Sequence, residues 1–187
     1  MDKRVICVIG LPCSGKSHAA KNLAFEYKGH YISTGDMARF LAKTDEERKL
    51  TEKNDRFPGE EELRKMLVDS VEQSLSVVDM VFIDGFPRYG DQVEFLASSM
   101  WAYDPIIIEI SPGSDAALWQ RARERARSQA DVDQFLFFQR LQLAKKNMGG
   151  VWNQVYKKLI PYTRIISIND DTTLTLFKQF WSNHGGL

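Results

Sequence analysis

Cysteine is scarce in this chain: Cys7 and Cys13 are the two among 187 residues. Two thiols cannot build the disulfide framework of a small secreted domain, and they suit a reducing compartment. No apolar run approaches the roughly 20 residues that a membrane span needs. The start, Met1-Asp2-Lys3-Arg4, leads into a short Val/Ile run that ends at Gly10, too brief for a secretory signal with its cleavage site. Proline (6) and glycine (12) are too few and too scattered to make a linker. There is no internal repeat and no low-complexity tract. What remains, 43% hydrophobic and 27% charged residues, is the composition of an ordinary globular protein and excludes disorder, collagen and coiled coil. The expectation is a single domain over residues 1–187, monomeric and cytoplasmic, with no membrane partner.

Net charge is also missing, since 25 Lys and Arg meet 25 Asp and Glu. The balance hides an asymmetry. Residues 1–114 hold 14 basic and 19 acidic side chains, whereas residues 115–164 hold 10 basic and 4 acidic. A basic segment within a neutral chain suits either a solvated helix face or a local anionic partner. No basic face interleaved with aromatics extends beyond it, which argues against nucleic acid.

Five short β-branched runs recur, at residues 4–9, 30–32, 80–84, 105–110 and 164–168. They are continuous rather than alternating, as strands buried on both faces are. Segments 17–27, 60–77, 92–100, 116–127 and 134–148 between them carry helical periodicity. This alternation predicts an α/β fold, a five-stranded parallel sheet with helices on both faces. The stretch between the second and third runs, about residues 34–79, exceeds one crossover helix and reads as a helical insertion.

Directly after the first strand stands Gly10-Leu11-Pro12-Cys13-Ser14-Gly15-Lys16-Ser17, the pattern GxxxxGK[ST]. The glycines let successive backbone N–H groups point inward at phosphate oxygens, and the helix that follows adds the positive end of its dipole. Lys16 can bridge the β- and γ-phosphates, and the Ser17 hydroxyl can ligate Mg²⁺. This is the P-loop of a nucleotide triphosphate site. Gly10, Cys13, Ser14, Gly15, Lys16 and Ser17 are its candidate residues, with Cys13 as a spacer.

At the end of the second strand comes Ser33-Thr34-Gly35-Asp36-Met37-Ala38-Arg39. By itself it reads as a capped helix start; its place at a strand's carboxyl end also suits a ligand. The third strand closes on Phe82-Ile83-Asp84-Gly85-Phe86-Pro87-Arg88, with Gln92 four residues on. An acid at the tip of a buried strand suits a role on Mg²⁺, and Arg88 offers phosphate a planar fork of donors.

The P-loop, Ser33-Thr34-Gly35-Asp36-x-x-Arg39 and Asp84-Gly85-Phe86-Pro87-Arg88-x-x-x-Gln92 occur in the order found in the adenylate kinase family of nucleoside monophosphate kinases, which the chain resembles over nearly its whole length. The resemblance implies a P-loop NTPase fold with a monophosphate-binding insertion and a short lid at about residues 122–135. It implies that Arg39 and Arg88 hold the monophosphate's phosphate, with Arg88 also near the phosphoryl group in flight, and that Thr34, Gly85 and Gln92 line the base pocket. A carboxamide at Gln92 can both donate to and accept from an adenine edge. Relatives that prefer pyrimidines carry Asn and Ala at the positions of Gln92 and Thr34, so both residues favour AMP.

The arginine run Arg121, Arg123, Arg125 and Arg127, with Arg140 further on, corresponds to the family's lid and its flanking helices. By that correspondence Arg121 lies near the ATP base and phosphates, while Arg125 and Arg140 reach the phosphates when the lid closes. The lid departs from the family. Where relatives have an arginine followed by paired acids, this chain has Arg127-Ser128-Gln129-Ala130-Asp131-Val132-Asp133, about two residues shorter. Arg127 is the candidate substitute. The lid has no Cys or His cluster, so a zinc-bearing lid is excluded. Ser17-His18 replaces the family's Gly-Thr, and His18 reads as a helix-surface residue. Phe57-Pro58, where relatives carry an aliphatic-Pro pair against the base, could reshape the pocket.

The resemblance therefore implies the reaction ATP + AMP ⇌ 2 ADP with Mg²⁺ held by Ser17 and Asp84. Lys16, Arg88, Arg125 and Arg140 are the expected catalytic residues, and Arg39, Arg127 and Arg140 contact the substrates. Acceptance of CMP, UMP or a deoxynucleotide is the nearest alternative. A P-loop switch without a phosphoryl acceptor is the alternative of another class.

Overall fold

The computed structural model describes residues 3–47, 49, 59–111, 114–126, 128–166 and 170–184. The elements are, in chain order, β1 (Arg4–Ile9), α1 (Lys16–Glu26), β2 (His30–Ser33), α2 (Thr34–Leu41), α3 (Glu60–Leu75), β3 (Met80–Asp84) and α4 (Gly90–Ser99). They continue with β4 (Ile106–Ser111), α5 (Asp115–Arg125), α6 (Gln129–Val132), α7 (Gln134–Lys158), β5 (Tyr162–Ile166) and α8 (Asp170–His184). The strands pair in the order β2-β3-β1-β4-β5, every pair parallel.

The apolar runs are continuous because both faces of the sheet are covered. Val5, Cys7 and Ile9 of β1 join Val81, Ile83 and Ile107 in a core closed by α3, α4 and α7. Ile6 and Val8 turn to the other face, where Phe82, Ile108 and Ile110 pack under α1 and α8. Burial raises the Cys7 thiol pKa, so that cysteine stays an inert core residue. The α/β architecture with helices on both faces is thus the one that the sequence predicts. Among the described residues no helix is long and apolar enough to cross a membrane.

Three element boundaries differ from expectation for physical reasons. The last strand starts at Tyr162, two residues before the predicted run, because its ladder with β4 begins at Ile107↔Tyr162. Helix α7 runs past Gly149-Gly150 to Lys158, although paired glycines read as a helix stop. Close packing against α4 explains one of them: a Cβ on Gly90 would lie 3.0 Å from the Gly150 carbonyl oxygen, so the two backbones nearly touch. Helix α8 was not anticipated, although Phe177, Phe180 and Trp181 carry its period; Phe177 stacks on Trp181 and meets Tyr27 edge-on.

Because β1 is central and the chain leaves it toward β2 and β3 on one side and β4 and β5 on the other, a crevice opens at the carboxyl ends of β3, β1 and β4. Open α/β sheets bind ligands at such a switch point. The P-loop occupies it. Gly10 has φ 156°, and a Cβ there would come within 2.5 Å of the Ile110 carbonyl oxygen, a backbone atom that cannot swing aside. Gly10→Ala is expected to cost about 2 kcal/mol or more in chemical denaturation, from forced backbone displacement. Gly149→Ala, where a Cβ meets nothing within 4 Å, should instead stabilise by about 0.5–1 kcal/mol through helix propensity.

Candidate active site

The phosphate loop is shaped by two left-handed residues. Cys13 (φ 62°) and Gly15 (φ 91°) turn the chain from β1 into α1. Helix α1 has neither a side-chain cap nor an acidic residue in its first turn, so its leading N–H groups are not neutralised by side chains. Ser14 is fully buried with its hydroxyl oxygen unpaired. Lys16 lies folded back, its Nζ donating to the Leu11 carbonyl at 3.4 Å. Burial lowers the Lys16 pKa to about 8; Arg88 and Arg140 push the same way, and Asp84 opposes them. A phosphate beside Lys16 would raise its pKa again. Arg121 braces the loop from outside, Nη1 donating to the Ser14 carbonyl at 3.1 Å.

Facing the loop are the tips of β2 and β3. Ser33 caps α2 by accepting from the Asp36 N–H at 3.2 Å. Thr34, almost fully buried, ties the two strand ends together by donating to the Asp84 carbonyl at 2.9 Å. Arg39 pairs with Asp36 one turn earlier. Gly85 (φ 81°) lets the chain turn, its N–H donating to the Val8 carbonyl at 2.9 Å. Arg88 then folds back, Nε donating to the Gly85 carbonyl at 2.8 Å. A Cβ on Gly35 would lie 3.5 Å from both the Arg39 and the Arg88 guanidinium groups, which therefore converge over that glycine. Burial lowers the Arg88 pKa, yet an arginine stays charged.

Asp84 has one occupied and one vacant oxygen. The Tyr31 hydroxyl donates to Oδ2 at 2.9 Å, whereas Oδ1 is buried without a hydrogen-bond partner. An unpaired acceptor on a residue that lines a cavity fits a hydrated cation. Among the described residues no group of three or more His, Cys, Asp or Glu could hold a metal. A magnesium ion kept by one carboxylate, one hydroxyl, water and substrate phosphates needs no such cage.

The third side is formed by the end of α5, by α6 and by the first turns of α7. Asp131 of α6 is fully buried and accepts from Arg125 twice, from Nε at 3.0 Å and Nη2 at 2.6 Å. Arg140 of α7 donates to the same carboxylate from Nη1 at 3.3 Å, while its Nε is buried without a partner. Burial, with Arg125 beside it, lowers the Arg140 pKa. Asp133 caps α7 by accepting from the Leu136 N–H at 3.0 Å.

These elements enclose a cavity of about 290 Å³ whose wall includes Lys16, Ser17, Arg39, Asp84, Arg88, Arg125 and Arg140. An adjoining hollow of about 100 Å³ shares Lys16, Arg39, Arg88 and Arg140 and adds Gly10, Gly85 and Asn147. Most of the residues singled out from the sequence meet here. Thr34 and Gln92 stand just behind the wall, almost fully buried. Arg121 flanks the loop and Cys13 lies within it, where burial raises the thiol pKa. His18 is exposed and within 3.3 Å of Asn22, as a helix-surface residue is. Arg127, Phe57 and Pro58 lie outside the described residues. Sequence reading missed Tyr31, Glu60 and Asp131 as site residues. Only Asp131 left a signal, as an acid within the basic lid.

Residues 9–135 match a family model described as an AAA domain. The chain is 27% identical over 170 residues to the adenylate kinase of Helicobacter pylori strain Shi470, covering 84% of this chain and 88% of that protein. It is 28% identical over 171 residues to the adenylate kinase of Helicobacter pylori strain ATCC 700392 / 26695, with the same coverage. A shorter match, 32% over 98 residues, spans 51% of this chain and 46% of the adenylate kinase of Brevibacillus brevis.

Asp131→Asn should leave two guanidinium groups facing each other with no carboxylate between them. Because Arg125 is about a third exposed, the expected cost is below that of a fully buried pair, about 2–3 kcal/mol in urea unfolding. Inorganic phosphate or ATP should recover part of it. No loss of stability, or a loss that anions do not reduce, would show that Asp131 does not balance these arginines.

Proposed function

Since the chain belongs to the AAA-domain family of P-loop proteins, we propose that it is a nucleoside monophosphate kinase that transfers the γ-phosphoryl group of ATP to AMP. The observation that carries this reading is the convergence of cations on one cavity from two sides. Lys16 comes from the start of α1 after the phosphate loop, Arg39 from α2 and Arg88 from the turn after β3. A hydrolase or switch needs a cradle for one anion. Two cradles facing each other suit two phosphorylated substrates meeting end to end. The likeness to adenylate kinases over 84% of the chain supports the same reading.

In this reading the N–H groups at the start of α1 and Lys16 hold the ATP phosphates, and Arg121 lies on the ATP side. Arg39 and Arg88 hold the phosphate of AMP. No side-chain nucleophile is required, because the acceptor is itself a phosphate oxygen; catalysis is positioning plus neutralisation of charge along an in-line transfer. Arg88 and Arg140 serve the moving phosphoryl group, since both reach the main cavity and the adjoining hollow. Arg125 joins them from the lid. Ser17 and Asp84 would hold magnesium, which when bound neutralises phosphate charge. Tyr31 fixes the Asp84 carboxylate so that Oδ1 stays toward the cavity. Burial of the lid anchor Asp131 suits a closed site from which water is excluded, as a kinase that must not hydrolyse ATP requires. Gln92 and Thr34 favour adenine over the pyrimidines.

A panel of monophosphates (AMP, CMP, UMP, GMP and their deoxy forms), with ADP release coupled to a reporter reaction, tests the assignment. AMP is expected to give the highest kcat/KM with ATP as donor. Slow ATP hydrolysis unaffected by every monophosphate would refute it. Arg88→Ala is expected to lower turnover at least about a hundredfold, the scale seen when one preorganised charge donor is removed; near-normal AMP phosphorylation by that variant would contradict the role of Arg88.

A further inference from the structure

The carboxamide of Gln92 is held at both ends, and the chemistry of its holders settles which end is which. The Arg88 backbone N–H, which can only donate, lies 2.6 Å from Oε1. The Glu60 carboxylate, which as an ion can only accept, lies 2.7 Å from Nε2. Exchanging oxygen and nitrogen would set a donor against a donor and an acceptor against an acceptor, so the amide has one allowed orientation. Gln92 is almost fully buried, which makes the forbidden orientation costly. Glu60 opens α3, and its carboxylate is steadied by Arg64, whose Nε donates to it at 3.1 Å and whose Nη2 reaches Asp91 at 2.6 Å.

Held this way, Gln92 keeps one amide hydrogen and one oxygen lone pair in reserve, in a fixed order. A 6-amino purine presents a donor at N6 beside an acceptor at N1. A 6-oxo purine presents the reverse, an acceptor at O6 beside a donor at N1. An amide free to flip serves both; a locked amide serves one. We propose that Glu60 is a positioning residue for acceptor selection: it locks the Gln92 carboxamide so that the pocket accepts a 6-amino purine monophosphate and rejects its 6-oxo counterpart. The inference rests on the proposed monophosphate kinase activity and goes beyond it, because it assigns the discrimination to a residue of α3 that need not touch the base.

The test compares kcat/KM for AMP and for IMP, which differ only at the 6-position and the N1 proton, at saturating ATP. Wild-type protein, Glu60→Ala and Asp91→Asn are used, each checked by its thermal midpoint. The same Glu60 oxygen accepts from Gln92 and from Arg64, so a glutamine there would keep the lock; Glu60→Ala removes the acceptor and frees the Gln92 amide to turn. It is expected to lower the AMP-over-IMP ratio about tenfold, the worth of one charge-assisted hydrogen bond, while the KM for ATP is unchanged. Asp91→Asn loosens Arg64 without touching Gln92 and should leave the ratio within about twofold of wild type. If Glu60→Ala fails to fold, Glu60→Asp, which draws the carboxylate back by one methylene, must lower the ratio as well. An unchanged ratio in the Glu60 variant overturns the proposal and leaves the kinase activity standing. An equal fall in Asp91→Asn also overturns it, because Glu60 would then act by tying α3 to α4. A wild-type preference for IMP overturns it directly. Failure of wild-type protein to phosphorylate any monophosphate overturns the kinase reading and this inference together.

Discussion

Mutual repulsion among cations is the constraint on which this site depends. Lys16, Arg39, Arg88, Arg125 and Arg140 border one cavity of about 290 Å³, and among the described residues of its wall the single carboxylate is Asp84. Like charges gathered around one cavity repel one another. Lys16 records the cost, its ammonium weakened by burial and by the arginines beside it. The protein tolerates this because each cation is tethered elsewhere: Lys16 to the Leu11 carbonyl, Arg39 to Asp36, Arg88 to the Gly85 carbonyl, and Arg125 and Arg140 to Asp131. The tethers hold the charges in place without filling the cavity. What would fill it is a chain of phosphates, for which the proposed reaction supplies two partners.

The fold makes such an arrangement possible. A parallel sheet buried on both faces fixes the carboxyl ends of its strands, and loops leaving those ends inherit the rigidity. Asp84 and Thr34 sit at the tips of neighbouring strands and are joined through one hydrogen bond, which ties the two turns together. Arg125, Asp131 and Arg140 come instead from three successive helices, and their salt bridges connect the lid to the long helix α7. Cys13 packs with Leu118 and Phe137 beneath that lid, which links the phosphate loop to the same group of side chains.

How much of this was legible in the sequence depends on whether a feature is local. The P-loop, the Ser33–Arg39 turn and the Asp84–Arg88 turn are written in consecutive residues, so the main cavity could be foreseen from three short motifs. Strand positions followed from continuous β-branched runs, because two-sided burial leaves that mark. Tethers are not local. Tyr31 meets Asp84 across 53 residues and Glu60 meets Gln92 across 32, and neither pairing leaves a pattern in the chain. The passage of α7 through Gly149-Gly150 was hidden likewise, since the close approach of α4 is visible only in space. Arg127, proposed from the sequence as the missing lid arginine, lies outside the described residues.

The central claim is that two phosphorylated substrates share one cationic cavity. Titration calorimetry with a bisubstrate analogue, two adenosines joined by five phosphates, tests it most directly. One molecule should bind per chain, at least about a hundredfold more tightly than ATP, because the second adenosine and its phosphates enter an already occupied site at high effective concentration. Affinity no better than that of ATP alone would mean that only the loop side is a ligand site, and the account would be wrong.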